Sequence, residues 1–129
     1  MPRLSRRRAA VLAALLSPVL GAAAAGAQQV VDGSARDLDA PLVGAITKLA
    51  TRDFAAPADA RLRGIHRSKA RNGRGYCGQV AVGPDADFVP FHAIIEADGT
   101  ASLLRFSDAS EPADREAAIR LLTNFGCLE

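Results

Sequence analysis

Cys77 and Cys127 are the only cysteines in the chain, and their state limits how it can fold more than any other feature. Joined, they close a loop of about 50 residues and tie the end of the chain to its middle. Free, they leave Cys77 open to two other roles. It is a candidate nucleophile with His66 or His92 as base, or a candidate metal ligand. The compartment decides between these roles, because oxidising spaces favour paired cysteines.

The N-terminus speaks to the compartment. It reads MPRLSRRRAAVLAALLSPVLGAAAAGAQQ, with Arg3, Arg6, Arg7 and Arg8 ahead of an apolar run from Ala9 to Ala25 and no acid before Asp32. A basic start, an apolar middle and Ala25-Gly26-Ala27 as a small-residue cut site are the parts of a secretory signal. Residues 1–27 are therefore expected to be a signal peptide, with Gln28 as the mature start. A retained membrane anchor is the rival reading. The run spans about 17 residues, is rich in alanine and glycine and carries Pro18, against the roughly 20 strongly apolar residues of a span. The Arg-Arg pair hints at twin-arginine export, but Ala9-Ala10-Val11 lacks the bulky apolar residues expected after it, so Sec export is expected. The expected destination is the periplasm or beyond.

Cleavage changes the charge argument. The whole chain carries 16 basic and 14 acidic residues, for a net charge of +2. Loss of four arginines and no acid turns that into a small negative charge, so a globally basic nucleic-acid binder is not what is exported. About 100 residues remain, enough for one domain with a modest core.

Residues 28–38 (QQVVDGSARDL) lack periodicity and are expected to form a flexible lead-in to a single domain at 39–129. Asp39 is placed to cap a helix with Pro41 in its first turn. Leu42, Ala45, Ile46 and Leu49 recur at helical spacing, which predicts a core-facing stripe running to about Arg52. ARLRGIHRSKAR then reads as a strand, followed by Asn72-Gly73, a strong hairpin signal. A two-residue turn there would set Ile65 opposite Val80. Ile65, Val80 and Val82 would share one face, with His66, Ser68, Cys77 and Gln79 on the other. A bulged three-residue loop would shift that parity. Val89–Glu96 and residues 100–106 read as two more strands around Asp98-Gly99. A last helix from about Ser110 is predicted, with a stripe of Ala118, Leu121, Leu122 and Phe125 and with Gly126 as its C-terminal cap. The fold class expected is α+β, a small four-stranded antiparallel sheet flanked by an N-terminal and a C-terminal helix. Both helices are placed on one face as the simplest arrangement.

In an exported chain an even cysteine count points first to a disulfide, here Cys77–Cys127. A reactive thiol paired with His66 or His92 would give a small hydrolase or transferase, the alternative to a non-enzymatic protein. No metal and no cofactor are expected. Cys77 and Cys127 lie far apart, as do His66 and His92, without the short paired spacings of zinc sites. NGRGYCG has glycines but no helix after it, unlike a phosphate-binding loop. Glu111, Asp114 and Glu116 sit where acids complement a helix dipole.

One surface feature stands out. Arg61, Arg63, Arg67, Lys69, Arg71 and Arg74 lie within one short stretch with His66 and no acid, while the chain from Asp85 onward is acid-rich. The odd-numbered members of the set would project to one side of a regular strand. Three readings stand for these residues. They are a charged edge strand guarded against aggregation, or a set paired internally with the acidic half. The third reading is a site for an anionic envelope component or acidic protein. Base-stacking on nucleic acid has little support, since Tyr76 is the hairpin's only aromatic.

The segments APADARLRGI, YCGQV (Tyr76–Val80), FVPFHAII and AAIRLLTNFGC resemble, in order, those of small secreted proteins of Proteobacteria that carry no assigned activity. Those proteins have a helix, a strand with C-G-E-V, an aromatic-rich strand, and a closing helix that ends near a second cysteine. Where they continue with an asparagine- and glycine-rich stretch, this chain has AVGPDADF. The resemblance implies the layout and no mechanism. The expected function is that of an exported binding module with a basic hairpin.

Overall fold

A computed structural model of the chain describes residues 29–128. The signal peptide expected at residues 1–27, and Gln28 after it, lie outside the described residues. Helix α1 (Ala40–Ala50) comes first, then strands β1 (Arg61–Arg67), β2 (Gly75–Ala81), β3 (Val89–Ile95) and β4 (Ala101–Arg105), then helix α2 (Pro112–Asn124). Single 3-10 turns at Pro57–Asp59 and Phe106–Asp108 link them. The strands form one antiparallel sheet in the order β1-β2-β3-β4, so each pairs with its sequence neighbours. The α+β class, the four strands and the two helices are those expected.

The helices do not share a face. Register puts Tyr76, Gly78, Val80, Phe91, Ala93 and Leu103 on one side of the sheet. There they meet Val43, Ile46 and Ala50 of α1, together with Leu62 and Ile65, in the main core. Cys77 and His92 point to the other side, where α2 buries Ala118 and Leu122. The molecule is thus three layers, α1, sheet and α2. The order helix, four strands, helix fits either arrangement; the alternation of apolar residues on β3 (Phe91 and Ala93 against His92 and Ile94) gives both faces something to cover.

Both helices are rotated from the predicted stripes. In α1 the buried set is Val43, Ile46, Thr47 and Ala50, with Leu42 and Leu49 flanking it. In α2 Leu121 is exposed, although it belonged to the predicted stripe. Asp39 takes the extended backbone of a capping residue without a side-chain capping bond. Gly126, with φ 80°, ends α2 as predicted. Cys127 N–H reaches Leu122 O at 2.8 Å and Gly126 N–H reaches Thr123 O at 3.0 Å, the two bonds of a Schellman closure. That closure delivers Cys127 to Cys77, and the two form a disulfide with Cα atoms 5.1 Å apart. The glycine after Cys77 serves the opposite face: a Cβ on Gly78 would lie 2.7 Å from the Phe91 ring and 2.8 Å from Ile65 Cδ1.

Residues 29–38 are not a loose lead-in. Val31 donates to Leu62 O at 2.8 Å, and Ala35 is buried. The Asp32 carboxylate accepts from Gly64 N–H at 2.8 Å and the Ser34 hydroxyl from Ile65 N–H at 2.9 Å. The segment covers the outer edge of β1 with polar side chains and one parallel bridge, Val30 to Leu62. Hydrophobic periodicity misses it because the attachment is made by hydrogen bonds.

The β1–β2 hairpin departs most from expectation. Leu62 faces Val80 and His66 faces Cys77, with the register shifting between Arg63 and His66. Ile65 is therefore not opposite Val80, and Val82 lies beyond β2 and is exposed. Gly64, with φ 66°, makes the bulge. Asn72-Gly73 is not a two-residue turn. The strands part at Arg67 and resume at Gly75, and of the pair only Gly73 has positive φ. The loop is drawn instead to the end of α2, where Lys69 N–H donates to Phe125 O at 2.8 Å.

Candidate functional site

The bulge at Gly64 divides the basic residues. Before it, Arg61 faces Ala81 and Arg63 faces Gln79, on the α2 side of the sheet. Phe88, from the β2–β3 loop, lies beneath both guanidinium groups, 4.9 Å from Arg61 and 3.9 Å from Arg63. Arg63 Nε donates to Gln79 Oε1 at 2.6 Å. Arg61 Nη2 donates to the carbonyls of Gly83 and Ala86, each at 3.2 Å, and so holds that loop against β1. Beyond the bulge Arg67 turns to the α1 side, 5.4 Å over the Tyr76 ring, and donates to Gly73 O at 3.1 Å. The single-sided stripe predicted for the odd-numbered residues is therefore broken, because one inserted residue reverses the parity.

Lys69 returns to the α2 side. Its stem packs beside Gly126, at the negative end of the helix, where a cation is favoured. Arg71 is exposed at the loop tip. Arg74 pairs with Glu96 at 3.3 Å, and Asn72 donates to the same carboxylate at 3.0 Å. Among the described residues this is the only carboxylate partner of the six basic side chains.

On the α2 side a concavity of 410 Å³ is lined by Gly64, His66, Gly78, Gln79, Cys127 and Leu128. His66 is exposed there, with Nδ1 2.9 Å from Gly64 O and Nε2 3.3 Å from Gly126 O. A neutral ring donates to one of these carbonyls at a time. His66 lines the concavity, while Arg63 reaches its rim through Gln79 and Lys69 packs on Gly126, next to Cys127. Phe88 and Gln79, which hold Arg63 in place, are missed in the sequence. For Gln79 the signal is the β1–β2 register, legible only once Gly64 is read as an insertion; for Phe88, in the β2–β3 loop, pairing gives none.

Cys77 is fully buried and bonded to Cys127, so the thiol that a cysteine mechanism requires is consumed. His92 lies directly across from Cys77 in the β2–β3 register, but the sulfur there is held in the disulfide. The His92 ring is buried, stacked on Phe125 at 3.8 Å between ring centroids, with Nε2 2.8 Å from the Ser68 hydroxyl. Among the described residues no group of three or more His, Cys, Asp or Glu is placed to hold a metal ion. Nor is any helix there long and apolar enough to cross a membrane.

Burial holds the His92 pKa below its ordinary 6.5. The unfolded chain takes a proton as pH falls through about 6.5, while the folded ring stays neutral to lower pH. The contribution of His92 to stability is therefore full above that value and declines below it. Two carboxyls titrate outside this window. Burial raises Asp32, but bonds from Ser34 and Gly64 outweigh it, and the Thr100 amide lowers Asp98; both end below 3.8. Urea unfolding at pH 7.5 and pH 5.0 is expected to show a loss at the lower pH that His92→Gln diminishes. An unchanged loss in the variant would assign it to other groups.

No family model, curated protein or solved structure matches the chain.

Proposed function

We propose that the protein is an exported, non-enzymatic binding module that engages an anionic envelope component or an acidic protein through the α2-side part of its basic hairpin. The observation that carries this reading is the lack of neutralisation: among the described residues only Arg74 of the six cations has a carboxylate partner. Internal pairing with the acidic half is thereby disfavoured. Edge protection is a weak rationale for the charge, since Val31, Asp32 and Ser34 already cover β1. Arg63 and Lys69 are both exposed, and Arg63 is held in place by Phe88 and Gln79, which lowers the cost of ordering it on a partner. A disulfide suits an oxidising destination, as the expected signal peptide does.

The test is retention on a sulfated polysaccharide column and on vesicles containing anionic phospholipid, at about 50 mM salt. The double variant Arg63→Glu with Lys69→Glu is expected to lose at least about tenfold in affinity for the surface that binds. Arg115→Glu with Arg120→Glu, on α2, serves as a charge-matched control. Equal loss in both double variants would reduce the effect to net charge. Absence of wild-type binding to either surface, and to acidic proteins captured from envelope extracts, would sink the reading.

A further inference from the structure

The two edges of the sheet are treated differently. β1 is covered by residues 30–34, whereas β4 has no such cover among the described residues. Glu96 N–H donates to Thr100 O at 2.9 Å, and the alternation of an antiparallel ladder can be counted from that pair. Ser102 and Leu104 then bond to β3, while Ala101 and Leu103 turn their N–H and C=O groups outward. No backbone group among the described residues answers them. Arg105 has the same parity but is buried.

We propose that this edge pairs with the same edge of a second copy of the chain, giving a two-fold dimer with one continuous sheet. The strand is complementary to itself. Antiparallel pairing centred on Ser102 sets Ala101 opposite Leu103 of the copy and Leu103 opposite its Ala101, so every outward group at these positions is satisfied in both chains. Two of the usual deterrents are missing, since β4 has no proline and no bulge, and no charged side chain points out from positions 101–104. Residues 101–104 of two copies therefore meet without like charges on the strand itself.

Apolar residues flank the edge on both faces, with Asp108 and Asp114 also in the α2-side cleft and Lys48, Arg52 and Asp53 in the α1-side groove. On the α2 side Leu121, 45% exposed, lines one cleft with Leu104. On the α1 side a groove of 530 Å³ is lined by Leu49, Phe54, Ile95 and Ala101 among others. A paired strand would bring its own copies of these residues against both flanks. That matters because a short ladder alone falls below the roughly 1,200 Å² of a stable interface.

Sedimentation velocity of the oxidised protein from about 1 to about 500 µM tests the proposal. The expected result is a concentration-dependent shift from monomer to dimer. Ala101→Pro removes an outward N–H at the first residue of the strand and no bond to β3, and is expected to raise the dissociation constant at least about tenfold. If that variant melts earlier than wild type, Leu121→Lys, exposed and outside the ladder, carries the same expectation. A wild-type protein that stays monomeric throughout overturns the proposal, as does dimerisation unaltered in a folded Ala101→Pro variant.

Discussion

Removing the disulfide, as Cys77→Ala with Cys127→Ala, is expected to lower the unfolding free energy by about 4 kcal/mol. This is the chain-entropy value for a loop of about 50 residues. The loss should be unequally felt. The α1 side of the sheet carries the main core, with Val43, Ile46, Leu62, Val80 and Phe91 all buried. The α2 side has far less: within α2 only Ala118 and Leu122 are buried, and Phe125 adds its stack on His92. The covalent bond thus supports the layer with the smaller apolar contribution. Hydrogen exchange of the double variant is expected to show protection lost across α2 and the loop at residues 68–74, which Lys69 joins to Phe125. Protection in α1 and in β2–β3 should persist at denaturant-free conditions. A uniform loss over both faces would mean that the two layers unfold as one unit. A cost below about 1 kcal/mol would mean that α2 docks without its staple.

The element order is legible in the sequence, whereas the layering is not, since both helices are expected on one face and lie on opposite ones. Paired cysteines, four strands with Asp98-Gly99 between the last two, and a helix closed by Gly126 all follow from local chemistry that the fold respects. What escaped was parity. Gly64 sits inside a strand pattern, and an isolated glycine there is a signal for a bulge. Counting back from Asn72-Gly73 assigns the faces of Arg67, His66 and Ile65 correctly, because the longer loop moves the pairing by two residues, and fails only for Arg63 and Arg61 before the bulge. The two-residue turn is overridden by contacts from distant parts of the chain: Lys69 to the end of α2, Ser68 to His92, and Asn72 to Glu96. One residue of slip exchanges the faces of everything beyond it. The candidate site inherits that error directly, since Arg67 was expected beside Arg63 and lies on the opposite face. The attachment of residues 30–34 escaped for a different reason, being polar and long-range.

Arg105 shows the same limit in the core, and its replacement is the second large effect expected. In the sequence it is one cation among three in an acid-rich half. In the fold it is 5% exposed and faces α1. Nη1 donates to Ala50 O at 2.8 Å and Arg52 O at 2.9 Å, while Nε and Nη2 reach Asp108 Oδ1 at 3.2 and 2.9 Å. The guanidinium lies 4.7 Å from the centroid of the Phe54 ring. Carbonyls at a helix C-terminus lack partners within the helix and carry its negative end, so a buried cation there meets two needs at once. Arg105→Ala is expected to cost about 3 kcal/mol, because it leaves the buried Ala50 carbonyl and the half-buried Arg52 carbonyl unanswered as well as a void. Arg105→Lys should recover less than half, since one ammonium cannot span the helix end and Asp108 as a planar fork does. Asp108→Asn separates the contributions. The Asp108 side chain is 51% exposed, so its pairing with Arg105 is screened and its loss is expected to cost no more than about 1 kcal/mol. Urea unfolding of the three variants gives the comparison. If Asp108→Asn costs as much as Arg105→Ala, the ion pair rather than the helix end holds Arg105 in the core, and the route by which α1 is fastened to β4 must be redrawn around the Phe106–Asp108 turn.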